Sequence, residues 1–231
     1  MEVDFTNQQD TLVYGISLLC QDDPDIDDII APRRRKIISL LDSYINEIEN
    51  HNPALSLVGT NCKNEIIIRH ILDSLAPLGI IFRECGVANI ADVGSGAGLP
   101  GVPLAIALPL SDFTLIERKG RRAGFLRSIR STLGLSNISI EEQEMEKVKP
   151  GRFKLVIFRA FRSLEPKIIK KLFRLCGDDG ILAAYKGREE KIRTEMEELE
   201  KSLPQLTGKW KIIPCQVPFL DEQRHLLLIS K

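Results

Sequence analysis

The sequence predicts an α/β protein built on a mostly parallel seven-stranded sheet, with an antiparallel C-terminal hairpin and an N-terminal helical extension. Three observations carry that expectation. Up to residue 86 the apolar residues recur at helical spacing; from Asn89 short apolar runs alternate with helical stretches; and the last two runs leave no room for a helix between them. Alternation argues for parallel strands joined by right-handed crossovers, and a short connection such as Phe219 to Arg224 argues for an antiparallel pair.

In chain order, Leu12, Val13, Ile16 and Leu19 form the stripe of a first helix over 5–20, which the run Asp22-Asp-Pro-Asp-Ile-Asp-Asp28 then breaks. Pro32 opens a second helix to about residue 50, with Ile37, Ile38, Leu41, Tyr44, Ile45 and Ile48 on one face. A third runs from about 64 to 82. Strands are expected over 89–94, 112–117, 137–142, 153–160, 180–187, 211–218 and 225–230, and helices near 100–108, 119–134, 164–176 and 188–203. Residues 1–86 thus form a helical extension packed on the sheet, and 87–231 a cofactor-binding domain. Phe158, Phe161 and Phe173 are assigned to the core.

The chemistry concentrates in Asn89-Ile-Ala-Asp-Val-Gly-Ser-Gly-Ala-Gly-Leu-Pro-Gly101, a strand, a tight turn and a helix start. Gly94, Gly96 and Gly98 let a ligand lie against the turn, and the helix opening at Pro100 offers free amide donors. Asp92, at the strand's carboxyl end, would repel a pyrophosphate but suits a cationic ligand. S-adenosylmethionine carries a sulfonium and an ammonium. Glu117 ends the next strand nineteen residues after Gly98, where a carboxylate accepts ribose hydroxyls. The run Gly96-Ala-Gly98-Leu-Pro-Gly101 also fits a dinucleotide fingerprint, so a nicotinamide enzyme is the rival; Asp92 and the closing hairpin separate the two, because a parallel sheet ending so is the methyltransferase variant of the doubly wound fold.

At 231 residues and 43% hydrophobic content the chain can bury a full core. No stretch approaches eighteen uninterrupted apolar residues and the N-terminus is acidic where a signal would be basic, so neither a membrane-spanning helix nor a signal peptide is expected. The five scattered cysteines contain no Cys-x-x-Cys pair and read as the reduced thiols of a cytoplasmic protein, neither a zinc site nor a disulfide framework. Net charge is zero, yet residues 1–32 hold eight acids and no Lys or Arg, while 117–174 hold sixteen basic and six acidic residues. If those cations share one side of the sheet, they form the footprint of a polyanion partner.

Five motifs in order resemble one family: Asp92-Val-Gly-Ser-Gly-Ala-Gly-Leu-Pro-Gly-Val-Pro103, Ile68-Arg-His-Ile-Leu-Asp-Ser74, Leu115-Ile-Glu-Arg-Lys-Gly-Arg-Arg122, Arg159-Ala-Phe161 and Glu222-Gln-Arg-His-Leu226. It is the glucose-inhibited division protein B family, and the likeness runs from about Asn52 to the C-terminus. The resemblance implies a Rossmann-like class I methyltransferase fold and methylation of guanine N7 in bacterial 16S ribosomal RNA, with S-adenosylmethionine as cofactor and the RNA or small subunit as partner, by a monomer. It places Gly94 and Leu99 in the cofactor loop, Met145 and Glu146 beside the adenine, Glu117 on the ribose, Asp92 at the amino-acid end and Arg159 at the active-site end of strand four. The family's Trp-Asn and Asn-Leu-Thr are replaced around His51-Asn-Pro-Ala-Leu-Ser-Leu-Val58, where only Asn52 and Leu57 are kept.

Arg121, Arg122, Arg127, Lys186 and Arg224 are the candidate RNA contacts. Each cation has a plainer alternative: Arg159 pairing with Glu146 or Glu165, Lys186 with Glu189 or Glu190, and Arg224 and His225 as hairpin surface. His70, on an apolar helix face, is read as structural and not as a base. Two other classes stay open, a methyltransferase for a small molecule or protein and a noncatalytic RNA-binding assembly factor.

Overall fold

The structure, a computed structural model, describes residues 8–159 and 164–231. The first residues of the helix expected over 5–20, and Phe161, lie outside them. Strands β1 Asn89–Val93, β2 Asp112–Ile116, β3 Ile138–Glu141, β4 Phe153–Arg159, β5 Cys176–Lys186, β6 Trp210–Pro214 and β7 His225–Ser230 form one sheet in the order β3-β2-β1-β4-β5-β7-β6. The pairs from β3 to β5 are parallel, and β7 runs antiparallel to both β5 and β6. The predicted α/β sheet and closing hairpin are therefore present. Strand β6 stops at Pro214, short of the expected 218, because the chain turns through Val217 to Leu220 with Phe219 at φ 65°. Strand β5 begins at Cys176, before the expected 180, and the register with β4 shifts between Phe153 and Leu155 to absorb the extra residues.

Period-2 alternation divides each central strand between two cores. Leu155 and Ile157 join the helices that precede the sheet, whereas Val156 and Phe158 pack on the other side. The first core takes in α1 (Gln8–Asp22), α2 (Pro24–Ile30), α3 (Arg34–Leu55), α4 (Lys63–Ile66), α5 (Asp73–Leu75), α6 (Leu78–Cys85), α7 (Gly101–Ala107) and α8 (Gly120–Thr132). The second holds α9 (Pro166–Leu175) and α10 (Glu189–Ser202), against which Phe173 is half-buried.

This division corrects the reading of the basic tract. Its cations on α8 and those on α9 lie on opposite faces of the sheet, so residues 117–174 do not form one continuous surface. Two further boundaries differ. The acidic run does not end helical structure: Asp23 alone interrupts it, accepting from the Asp25 amide at 3.0 Å as the N-cap of α2, with Pro24 in the first turn. The helix expected over 64–82 is divided by Pro77 and contains a π-helical stretch, Ile67–Leu72, between α4 and α5.

Candidate active site

Strand order reverses on either side of β1, which lies between β2 and β4. Ligands of open α/β sheets bind at such a switch point, beyond the carboxyl ends of the strands. There the chain leaves β1 through the glycine turn, and the Gly94 and Ser95 amides donate to the Ile116 carbonyl at 2.9 and 3.2 Å. Glu117, 5% exposed, accepts from the Gly96 amide at 3.0 Å and the Lys119 amide at 2.8 Å. Gly96 sits at φ 58°, and a Cβ there would come no closer than 3.7 Å to any protein atom outside its neighbours, so the turn is open for a ligand.

Asp92 is turned inward. Its Oδ2 accepts from the Gly101 amide at 3.0 Å, and a Cβ on residue 101 would strike that oxygen at 2.6 Å, which makes glycine necessary. Burial raises the Asp92 carboxyl to about 7 against the lowering by the Gly101 hydrogen bond and Arg159. The helix-start amides expected to be free are satisfied internally: besides the Gly101 bond, Val102 donates to Gly98 at 2.7 Å and Leu104 to Pro100 at 3.2 Å. Helix α7 starts at Gly101, one residue past the expected Pro100.

Against the turn lies a cavity of about 510 Å³, lined by Gly94, Gly96 and Leu99 on one side and by Leu57 to Gly59 and the His70 region on the other. Arg159, Tyr185 and Arg224 close it across the sheet. Arg159 pairs with neither Glu146 nor Glu165 but with Asp73, its Nη1 donating to Oδ2 at 2.9 Å, and its Nη2 stands 3.4 Å from His70 Nδ1. Asp73 also accepts from Arg224 Nε at 3.1 Å on its other oxygen. Arg224 continues to Glu222 at 3.0 Å, which accepts from Arg69 at 2.8 Å. Tyr185 donates to the Ser74 carbonyl at 2.9 Å. The helical segment that precedes the sheet is thus bonded to β4, β5 and the C-terminal hairpin around the cavity.

Sequence reasoning missed Asp73 and Tyr185. The signal for Asp73 was an acid set among Ile71, Leu72 and Leu75 in the Arg69-to-Ser74 motif; an acid buried among aliphatics needs cationic partners. His70 is lowered to about 4, first by burial and then by Arg159 and Arg69.

The remaining candidates are dispersed. Met145 packs half-buried on the second core, and exposed Glu146 pairs with Lys171 at 2.7 Å, which lowers its carboxyl; neither lines the cavity. Arg122 lines the cavity and donates to the Ser56 carbonyl at 3.0 Å, while Arg121 is exposed beside it. Arg127 pairs with Glu142 at 2.5 Å, and Lys186 pairs with Glu195 at 2.7 Å rather than Glu189 or Glu190.

A family model described as rRNA small subunit methyltransferase G matches residues 37–227. The chain belongs to that family. Members of the rRNA small subunit methyltransferase G family from Treponema denticola and Cellvibrio japonicus are 34% and 36% identical; the first alignment covers the whole of both chains, the second 87% of this chain and 89% of the other. Two solved structures share the fold. One is an S-adenosylmethionine-dependent methyltransferase from Aquifex aeolicus, TM-score 0.51 and 16% identity, covering 68% of this chain and 90% of that one. The other is the tRNA (m1A58) methyltransferase TrmI from Aquifex aeolicus, TM-score 0.52 and 10% identity, covering 68% of each. The chain is therefore an S-adenosylmethionine-dependent methyltransferase with the Rossmann-like fold, not a nicotinamide enzyme. The matched region begins upstream of Asn52, at residue 37, and so takes in most of α3.

Proposed function

We propose that this enzyme methylates a guanine of bacterial 16S ribosomal RNA at N7, with the cofactor along Gly94, Gly96 and Leu99. The observation that carries this reading is the open cavity beside a glycine turn braced by Glu117, in a chain of this family. When bound, S-adenosylmethionine supplies a methyl group on a positively charged sulfur. Glu117 spends one acceptor site on each of two amides and keeps sites for the ribose hydroxyls. Asp92 stabilises the cofactor's positive end from behind the turn, and the adenine is assigned to the side of Met145 and Glu146, beyond the residues that line the cavity.

Guanine N7 carries an in-plane lone pair on the major-groove edge and needs no deprotonation before attack. What the protein must supply is then placement, which converts a bimolecular reaction into an oriented one. A stacked base cannot reach a methyl group in this cavity, so the target is unpaired or extruded. Arg159, Lys186 and Arg224 are committed to carboxylates and shape the cavity wall; Arg121 and Arg122 meet RNA phosphate, with Arg127 at the margin. No described helix is long and apolar enough to cross a membrane. We place the reaction in the cytoplasm on a monomer, with residues 1–86 as the helical extension and 87–231 as the methyltransferase domain.

The test is to incubate small-subunit ribosomal RNA with the enzyme and methyl-labelled cofactor and digest to nucleosides. Label in 7-methylguanosine is expected; label in any other nucleoside, or none in RNA, overturns the reading. Two predictions arise with it. Because a bound cation favours ionised Asp92, cofactor affinity should rise with pH through about 7 and level off, and Asp92→Asn should abolish that rise in calorimetric titrations. The same raised carboxyl contributes stability at acid pH that is lost as pH climbs from its unfolded value near 4 through about 7. If Arg121 and Arg122 contact phosphates, their double alanine variant should flatten the log-log salt dependence of RNA binding by roughly 0.7 to 0.9 per contact. An unchanged slope would return both to solvated surface.

A further inference from the structure

One imidazole of the cavity, His70, has its tautomer dictated by an arginine. Arg159 has only donors, so the His70 Nδ1 facing its Nη2 at 3.4 Å must be the unprotonated, accepting nitrogen. The ring is neutral, since burial and two nearby guanidiniums oppose a second proton. The proton therefore resides on Nε2, and among the described residues that nitrogen has no hydrogen-bond partner. The other side chains around the cavity that could donate each hold at least one partner within the protein: Tyr185 bonds the Ser74 carbonyl, Arg159 and Arg224 share Asp73, Arg69 bonds Glu222, Arg122 the Ser56 carbonyl and Lys186 Glu195. The second cavity histidine, His225, has Nδ1 2.5 Å from the Gly187 carbonyl and Nε2 3.8 Å from Glu189.

We propose that the Nε2–H of His70 donates to the O6 carbonyl of the target guanine and makes the enzyme select guanine, a role that rests on the N7 reading above. On the major-groove edge guanine presents N7 and O6 as adjacent acceptors, whereas adenine presents an amino donor in place of O6. N7 has to keep its lone pair for the methyl group, so base identity has to be taken from O6. A neutral donor suits this role, because a cationic one beside the ring would oppose the positive charge that N7 acquires. Asp73 fixes Arg159, Arg159 fixes the tautomer of His70, and His70 meets the base, which gives a purpose to placing His70 on the π-helical stretch, Asp73 at the start of α5 just after it and Arg159 at the strand end opposite. Asp73 and Arg159 are then positioning residues, and His70 is the one that touches substrate.

The test compares small-subunit ribosomal RNA carrying guanine, or 2-aminopurine, at the position the wild-type enzyme methylates. 2-Aminopurine keeps N7 and lacks the O6 carbonyl. Single-turnover rates are measured for the wild type, His70→Ala and His70→Gln, so that intrinsic differences in N7 reactivity cancel in the ratios. The wild type should prefer guanine by an extra factor of about ten relative to His70→Ala, the equivalent of one neutral hydrogen bond. His70→Gln, whose amide can donate, should retain part of that preference, and it also serves if the alanine variant loses its melting transition. A guanine preference equal in all three proteins overturns the assignment while leaving N7 methylation intact. Absence of 7-methylguanosine from the wild-type reaction overturns the underlying function and this inference together.

Discussion

Asp73→Ala should destabilise the fold by about 3 to 5 kcal/mol, the range for removing one partner of a buried ion pair. Asp73 is 7% exposed, and its two oxygens hold Arg159 and Arg224, whose side chains are themselves largely buried. Without the carboxylate Arg159 loses the acid it pairs with, and Arg224 keeps only the exposed Glu222 beside it. At roughly 2 to 4 °C per kcal/mol for a chain of this size, the melting temperature should fall by roughly 6 to 20 °C. Asp73→Asn keeps an acceptor for one arginine and should fall between the two. Chemical denaturation with cofactor-free protein reads the effect; an alanine variant as stable as the wild type would mean that the clamp is surface ornament.

Glu117→Ala should reduce S-adenosylmethionine affinity by roughly ten- to a hundredfold, since a hydrogen bond to a charged group is worth about 1.5 to 3 kcal/mol. The loss has two sources, the ribose acceptor and the preorganised turn, because the Gly96 and Lys119 amides both lose their partner. The shape of glutamine does not repair it. Two amide donors face the carboxylate, and in Glu117→Gln one of them meets an NH2 group instead of an oxygen, so that variant should also bind weakly. Calorimetric titration that finds wild-type affinity in both would remove Glu117 from the cofactor site.

Much of this architecture is legible in the sequence because its signals are local. The strand ending at Val93, the glycine turn and Glu117 at the end of β2 lie within one βαβ unit, where apolar runs, glycines and acids have short-range meanings. The closing hairpin follows from chain length alone. What escapes is long-range or depends on a face. Asp73 and Arg159 are 86 residues apart, and nothing in the spacing around Arg159 prefers Asp73 to Glu146 or Glu165. The cations of 117–174 are contiguous in sequence but alternate between the two sides of the sheet with the crossover helices that carry them, so counting charge along the chain overstates a single surface. Asp92 is expected to face a ligand, yet its oxygen is consumed at Gly101, a contact that only the close packing of α7 reveals. The acidic run around Asp23 reads as a break because Asp and Pro disfavour helix interiors, but the same residues favour a helix start, and one residue of offset decides between the two.

The central claim is methyl transfer by placement to a lone pair that needs no base, and the pH profile of the chemical step tests it most directly. Single-turnover methylation at saturating RNA and cofactor should be nearly independent of pH from about 6.5 to 8.5. His70 stays neutral throughout, having been lowered to about 4, and Asp92, raised to about 7 in the free protein, is held ionised by the bound cation. Arg159 stays protonated and cannot act as a base. His70→Ala should be slower on guanine yet equally flat. A rise with pH through a single ionisation, abolished in His70→Ala, would contradict the account and indicate a nucleophile that must first lose a proton.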